Sequence, residues 1–369
     1  MRITFVLPFA GRSGGIRVLA IYAQALQARG HRVSVISFPP YRPKLRDMAR
    51  GLLRGSLPRR EDEQGSHFDG LDIPHRVLER FRDVEDGDLP DADAVVATWW
   101  ETAPGVASLS ACKGAKLYFL QHDEVVFYGA EDRTMRERVL DTMRLPMRKV
   151  AVAQWIADAI GARGITEPIH VVPNGVDTEK FNAPARKKQA VLTVGMMYSA
   201  TDFKASSVGF EAVARARRAL PGVRFVAFGV DRPTRAESAA LDGGFERTPA
   251  HERMRAMYAG CDAWLFTSRC EGFGLPILEA MACRTPVIGT RTGAAPDLLP
   301  GGGGELVAID DAAAMGDAIV RFGKMSEEEW SRRSESARRA AEACAWARSI
   351  EQFESQIVAA ARMPSPALT

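Results

Sequence analysis

Short, mostly apolar runs recur along the chain, separated by longer stretches in which apolar positions return at helical spacing. The runs are Ile3–Leu7, Arg32–Ile36, Ala94–Ala97, Leu117–Leu120, Val150–Ala153, Ile169–Val172, Val191–Val194, Arg224–Phe228, Ala263–Phe266 and Pro286–Ile288. Apolar runs of this length, without strict alternation, suit strands covered on both faces. Strand–helix alternation of this kind predicts parallel sheets and an α/β fold. Each half of the chain opens alike, with a strand feeding a loop and a helix: Gly11–Gly15 in the first and Gly195–Lys204 in the second. Between the halves, Asn182–Gln189 reads as a linker, with Pro184 and the basic run Arg186-Lys-Lys188 just before a fresh strand. The predicted domains are therefore 1–183 and 184–345. Gly301–Gly304 reads as a flexible turn and not a phosphate loop, because no Lys-Ser/Thr follows it.

Composition narrows the picture only a little. A chain of 369 residues is long enough for two cores, and 46% apolar with 26% charged residues suits a globular enzyme. A net charge of +3 gives no reason to expect a nucleic-acid partner. Five cysteines (Cys112, Cys261, Cys270, Cys283, Cys344) form no Cys-x-x-Cys pair, which predicts reduced thiols in a cytoplasm. The opening Met1–Ala10 is interrupted by Pro8 and runs into a Gly-rich loop, so a buried strand is expected rather than a signal peptide. No run approaches the ~20 apolar residues that span a bilayer.

The densest chemistry lies in Ser268-Arg-Cys-Glu-Gly-Phe-Gly-Leu-Pro-Ile-Leu-Glu-Ala-Met-Ala282. It sets Glu271 and Glu279 eight positions apart, across a Gly-rich turn that runs into a helix. Pro276 suits the first helical position, where a missing N–H costs nothing. Glu279 then falls at the end of the first turn, beside N–H groups with no helical partner. Those groups and the positive end of the helix dipole favour a phosphate or diphosphate. Gly272 and Gly274 let the backbone approach such a ligand with no Cβ in the way. An acid near the helix start can accept hydrogen bonds from a ribose diol, and the earlier acid can reach hydroxyls on a second sugar. Ribose, diphosphate and hexose in that order make a nucleotide-sugar. The competing reading is a dipole-complementing Glu279 after an ordinary glycine turn.

Glu271 and Glu279 within this string resemble the signature of retaining glycosyltransferase family 4, in its bacterial form. Val171-Val-Pro-Asn-Gly-Val-Asp-Thr-Glu-Lys-Phe181 is similar to that family's connector leaving the N-terminal domain. The resemblance implies GT-B architecture, two doubly wound Rossmann-like α/β domains facing a cleft. Residues 1–183 would bind the acceptor, 184–345 the nucleotide-sugar donor, and a helix in 346–369 would pack back on the first domain. It also implies donor contacts: Glu279 on ribose hydroxyls, Lys204 and the backbone of Phe273, Gly274 and Leu275 on diphosphate, and Glu271 on the transferred hexose. The loop Val194-Gly-Met-Met-Tyr-Ser-Ala-Thr-Asp-Phe-Lys204 holds Met196 where the family places an Arg after the glycine, here Gly195. Tyr198 and Ser199 are then expected to donate weaker, uncharged hydrogen bonds to the donor.

Gly14 and Gly15 resemble the family's glycine pair that lets the first domain approach the donor phosphate; a plain tight turn is the other reading. His122, just beyond a buried strand, stands where ligands bind in open α/β sheets. The family has a His at this kind of position, facing the donor sugar near the reacting carbon; a structural His on a backbone carbonyl is the alternative. His122, Glu271 and Lys204 form the expected catalytic set. Trp99 and Trp100 are candidates for stacking on an acceptor sugar, with Asp123 nearby, against the commoner core role of tryptophan. Arg284 stands where the family has a glycine, and Gly293-Ala-Ala-Pro-Asp297 replaces its usual Gly-Gly-x-x-Glu.

The expected activity is transfer of a hexose from a nucleotide-diphosphate sugar to a glycan, lipid-linked or small-molecule acceptor. The nucleotide-sugar is a substrate, and neither a cofactor nor a metal is expected. A non-catalytic nucleotide-binding scaffold and a GT-B sugar epimerase are the competing classes. One segment points to location. In Tyr41–Arg60, Leu45, Met48, Ala49, Leu52 and Leu53 recur at helical spacing, while Arg42, Arg46, Arg50 and Arg54 line another face. An anionic surface on the inner face of the cell membrane suits such a helix; so does packing of the apolar stripe on its own domain.

Overall fold

The computed structural model describes residues 1–40 and 65–362. The candidate membrane residues Arg42, Arg46, Arg50 and Arg54 lie outside the described residues. Among the described residues, no helix is long and apolar enough to cross a membrane.

Two parallel sheets organise the chain. The first runs in the order β3-β2-β1-β4-β5-β6-β7. Its strands are β1 (Arg2–Leu7), β2 (Arg32–Ser37), β3 (His75–Val77), β4 (Ala94–Ala97), β5 (Ala115–Leu120), β6 (Arg148–Ala151) and β7 (Ile169–Val171). The second runs β10-β9-β8-β11-β12-β13. Its strands are β8 (Thr193–Tyr198), β9 (Arg224–Gly229), β10 (Gly244–Arg247), β11 (Ala263–Phe266), β12 (Val287–Thr290) and β13 (Gly304–Val307). Strand order reverses between β1 and β4 in one sheet and between β8 and β11 in the other, which gives each a switch point.

The central strands β4, β11 and β12 are buried along their whole length, which is why they read as apolar runs. The three strands that no apolar run announced, β3, β10 and β13, all lie at sheet edges and are largely accessible. Solvent on one flank removes the demand for a continuous apolar run, so the pattern is silent there. β8 starts two residues later than expected and continues through Tyr198, a shift that matters for the site.

The chain divides into two compact units, Met1–Val172 with Ile350–Thr369, and Pro173–Ser349. The connector joins the second unit ahead of the expected break at 183/184, because backbone and arginine hydrogen bonds hold it there. Val176 N–H donates to Cys344 O at 2.9 Å, and Arg284 Nε donates to Ala183 O at 3.1 Å. Arg186, read as linker charge, is structural. It donates to the fully buried Asp262 carboxylate at 2.9 Å, which also accepts from the Gln189 and Thr193 amides at 3.1 and 2.9 Å.

The last helix, Trp346–Arg362, carries Phe353 into the core of the first unit. Its ring lies 4.6 Å from Tyr22, 4.9 Å from Phe119 and 6.3 Å from Phe5. One residue on, Glu354 accepts from Arg29 Nε at 2.6 Å and meets His31 at 2.6 Å. Phe353→Ala should cost about 3–5 kcal/mol, the usual loss for truncating a buried aromatic ring. Urea unfolding of the whole chain measures it; a loss below about 1 kcal/mol would mean that this ring does not anchor the helix.

Candidate active site

β8 and β11 are parallel neighbours, with Ala263 opposite Val194 and Leu265 opposite Met196, so both release their chains at one end of the sheet. The two loops are then stitched together. Thr267 Oγ1 donates to Lys204 O at 2.8 Å, and Arg269 N–H donates to Phe203 O at 2.7 Å. Arg269 also pairs with Asp202 and Asp310, at 2.9 and 2.7 Å. Lys204 closes a short 3-10 turn, Asp202–Lys204, and Ala205 follows in the left-handed region (φ 47°) before helix Ser206–Ala219. This geometry lays the Lys204 ammonium on Glu271 Oε1, which also accepts from Ser268 Oγ at 2.8 Å. Both side chains keep some exposure, 22% for Lys204 and 14% for Glu271. Among the described residues, Glu271 Oε2 accepts no hydrogen bond, which leaves it open to an incoming hydroxyl.

Beyond Glu271 the chain turns on Gly274 (φ 94°), where a Cβ would meet the Phe266 ring at 2.8 Å and an L side chain would be strained. Helix Leu275–Ala282 starts there, so Pro276 is its second residue, not its first. Glu279 is correspondingly deeper than the end of the first turn. It is 6% exposed, and its Oε2 accepts from the Tyr258 hydroxyl at 2.9 Å. In the first turn of this helix Pro276 has no N–H and Ile277 N–H donates to Gly274 O at 3.0 Å, so what the helix start can offer an anion is the Leu275 N–H and the positive end of the dipole. Gly293 (φ 57°) packs against this turn: a Cβ there would lie 2.5 Å from Phe273 O and 3.1 Å from Glu271 Cβ. Ala294 N–H donates to Phe273 O at 2.8 Å, so the Gly293–Asp297 loop braces the acidic turn directly.

Arg284 also adopts a left-handed backbone (φ 63°), the conformation for which glycine is preferred after a helix. Its guanidinium holds Glu335 and Ala183 O, which ties the end of the site helix to the connector and to helix Glu327–Ala343.

The first unit assembles a second set of groups where β4, β5 and β6 end. Helix Gly14–Ala28 begins at Gly14, capped by Ser13, and Gly15 lies against the Gln121 side chain. His122 donates through Nδ1 to Asp123 O at 3.1 Å. Its ring lies 4.7 Å from Phe127 and 5.4 Å from Trp155, and Phe127 in turn lies 5.6 Å from Trp99. Asp123 is buried and paired with Arg163 at 2.6 Å. Glu124 is fully buried and accepts from the Trp100 amide at 2.7 Å and the Tyr118 hydroxyl at 2.9 Å. Burial pushes the Glu124 carboxyl up to about 8.

Two Asp-x-Asp strings, Asp86-Gly-Asp88 and Asp91-Ala-Asp93, have carboxylates that are already engaged. Asp88 binds Arg82, Asp86 caps the Ser110 amide, Asp91 pairs with Lys113, and Asp93 with Arg2. Among the described residues, no three His, Cys, Asp or Glu side chains are grouped to hold a metal ion.

Comparison with known proteins adds to this geometry. Residues 12–180 match the model described as Glycosyltransferase Family 4, and residues 188–324 match that of Glycosyl transferases group 1. Together these two matches fit a glycosyltransferase of the family 4 type. It is 29% identical over 180 residues to the lipopolysaccharide core biosynthesis mannosyltransferase LpsB of Rhizobium meliloti (strain 1021), covering 42% of this chain and 50% of that one. It is 30% identical over 202 residues to the MMP alpha-(1->4)-mannosyltransferase of Mycolicibacterium hassiacum, covering 53% of this chain and 47% of that one. The chain thus spans about half the length of the curated relatives it matches. Among solved structures it resembles Anabaena Alr3699/HepE in complex with UDP, with a TM-score of 0.72 at 17% identity over 97% of this chain and 100% of that one. Sucrose-phosphate synthase from Thermosynechococcus elongatus follows the same fold (TM-score 0.67, 16% identity, 98% and 100% covered). Both sheets are those of the GT-B glycosyltransferases.

Several site expectations need correction. Gly195 and Met196 lie inside β8, and a Cβ on Gly195 would collide with Trp264 at 2.4 Å. That glycine makes room for an indole, and Ser199 is the first residue past the strand. Tyr198 is buried, with its ring 6.1 Å from both Phe210 and Phe245, and its hydroxyl donates to Glu237 at 3.0 Å. Ser199 Oγ already binds Asp231 at 3.1 Å. Trp100 is 2% exposed beneath the Arg138 guanidinium and offers no face to a sugar. Asp123 belongs to the Arg163 pair. Lys204, Glu271 and the Phe273–Leu275 turn do converge, whereas the bracing by Gly293 and the Tyr258–Glu279 bond left no trace in spacing.

The Glu124 carboxyl predicts a pH dependence. Its pKa is raised from 4.5 to about 8 in the folded chain, so the native state holds this proton more tightly than the unfolded one. The stability it contributes is complete below about 4.5 and is lost as pH rises through about 8. Glu124→Gln should remove that dependence, so wild type should lose stability relative to the variant between those limits. Urea midpoints at acid, neutral and alkaline pH test this; parallel profiles for the two proteins would contradict it.

Proposed function

We propose that this protein transfers a hexose from a nucleotide-diphosphate sugar to a glycan, lipid-linked or small-molecule acceptor. The observation that carries the reading is the convergence of Lys204 and Glu271 beside the left-handed Gly274 turn, at the switch point of the second sheet. A cation, an open carboxylate oxygen and a helix start lie together where ligands bind in this class of sheet. The mannosyltransferase names of the curated relatives support a sugar donor, and the UDP complex of the Anabaena protein supports a nucleotide diphosphate.

In this reading Lys204 and the backbone from Phe273 to Leu275 hold the diphosphate. With the site empty, Glu271 neutralises Lys204; a bound diphosphate takes over the ammonium and frees the carboxylate for hydroxyls of the hexose. Glu279 holds the ribose, its position fixed by the Tyr258 hydroxyl. The leaving diphosphate gathers charge as the glycosidic bond breaks, and Lys204 and the helix start are oriented for that charge before the reaction begins. His122, at the end of β5, serves the transferred sugar. Attack from the face of the leaving group retains configuration, and the leaving phosphate helps take the acceptor proton.

Glu279→Ala should weaken nucleotide binding by about 1–3 kcal/mol, the cost of a lost charged hydrogen-bonding partner. Glu271→Ala should leave free-nucleotide affinity close to wild type and lower turnover. Calorimetry on both variants separates the roles; unchanged affinity in Glu279→Ala would remove the ribose assignment.

Lys204→Met should nearly abolish transfer, and EDTA should leave wild-type activity intact. Inhibition by EDTA that Mg²⁺ or Mn²⁺ reverses would show that a metal ion shares the diphosphate charge.

A further inference from the structure

The first unit carries a chain of neighbouring aromatic rings from three separate segments. Trp99, Phe127, His122 and Trp155 follow one another at centroid distances of 5.6, 4.7 and 5.4 Å. They come from separate segments, after β4, after β5 and at the start of helix Gln154–Gly161, gathered where parallel strands release their chains. Trp99, His122 and Trp155 are half-buried, while Phe127 is 50% exposed and follows an exposed Val126. A phenylalanine half in water beside other accessible rings forgoes the burial that ordinarily fixes such a residue. Half-buried Glu101, whose carboxyl lies beside the Trp99 indole, adds an acceptor at the rim.

We infer that Trp99, Phe127 and Trp155, gathered around the His122 ring that serves the transferred sugar, are a stacking surface for a pyranose ring of the acceptor, with Phe127 and Trp155 as specificity residues and Glu101 as a hydroxyl partner. The inference rests on the transferase reading and narrows its acceptor to one that presents a sugar ring. Sugar rings carry C–H-rich faces and hydroxyl edges, so they need apolar planes flanked by a few polar groups. Binding sites of mostly aromatic lining with sparse polar groups follow that rule. An alkyl chain would need aliphatic lining and no carboxylate at the rim. Trp100 takes no part, because it is buried under Arg138.

Saturation-transfer NMR on the full chain tests the assignment, with methyl α-D-mannopyranoside, methyl α-D-glucopyranoside and maltose as probes. Sorbitol is the acyclic control, and octyl glucoside the alkyl control. At least one pyranoside should show saturable transfer, strongest on its C–H face, while sorbitol shows none. Phe127→Ser, at an exposed position, should weaken that binding about tenfold, the order expected for loss of one aromatic partner. Trp155→Leu should weaken it as well, and nucleotide affinity should be unchanged in both variants. The inference is overturned if no pyranoside binds, if Phe127→Ser binds as wild type does, or if only the octyl chain responds. Each of those results leaves the transferase reading standing as long as nucleotide still binds. Pyranoside binding without nucleotide binding would instead count against the transferase reading alone.

Discussion

The parallel adjacency of β8 and β11 is the constraint on which the site depends. Because these strands run side by side in one direction, their loops leave the sheet together, and residues 67 positions apart in the chain come within an ion pair. The Thr267 hydroxyl on Lys204 O and the Arg269 amide on Phe203 O then fix one loop against the other. Without that stitching, an isolated, partly exposed lysine–carboxylate pair would be worth little. With it, the ammonium and the carboxylate are held in place before any ligand arrives, which is the condition for electrostatic stabilisation of a leaving group.

Left-handed backbone is placed around the same turn. Gly274 and Gly293 both adopt left-handed conformations, and each sits where a Cβ would strike a neighbour. Arg284 adopts such a conformation without being a glycine, and its guanidinium reaches Glu335 and the connector carbonyl of Ala183. A non-glycine residue at positive φ persists when its surroundings determine it. Here the side chain supplies part of that determination. The departure at Arg284 therefore has a structural meaning: it fastens the far end of the helix whose start forms the site.

Much of this was legible in the residues. Uniformly apolar runs marked the central strands because both of their faces are covered, and the Gly-rich acidic string marked the turn into helix Leu275–Ala282. What escaped did so for physical reasons. Edge strands β3, β10 and β13 carry no continuous apolar signal. β8 absorbed Gly195, Met196 and Tyr198 because the apolar Met-Met-Tyr stretch extends the strand, so a loop glycine became a packing glycine beside Trp264. Trp99 and Trp100 are adjacent in sequence, yet only the first stays accessible, since successive positions point in different directions. Partners such as Tyr258 for Glu279, or Arg163 for Asp123, depend on tertiary placement that no spacing encodes.

The central claim is that the Lys204–Glu271 turn holds a nucleotide-sugar donor. Nucleotide release from UDP-, GDP- and dTDP-linked hexoses, measured without acceptor, tests it most directly. The account predicts slow release from the sugars of one nucleotide, lost in Lys204→Met. No binding and no release with any member of the panel, from folded wild-type protein, would contradict it.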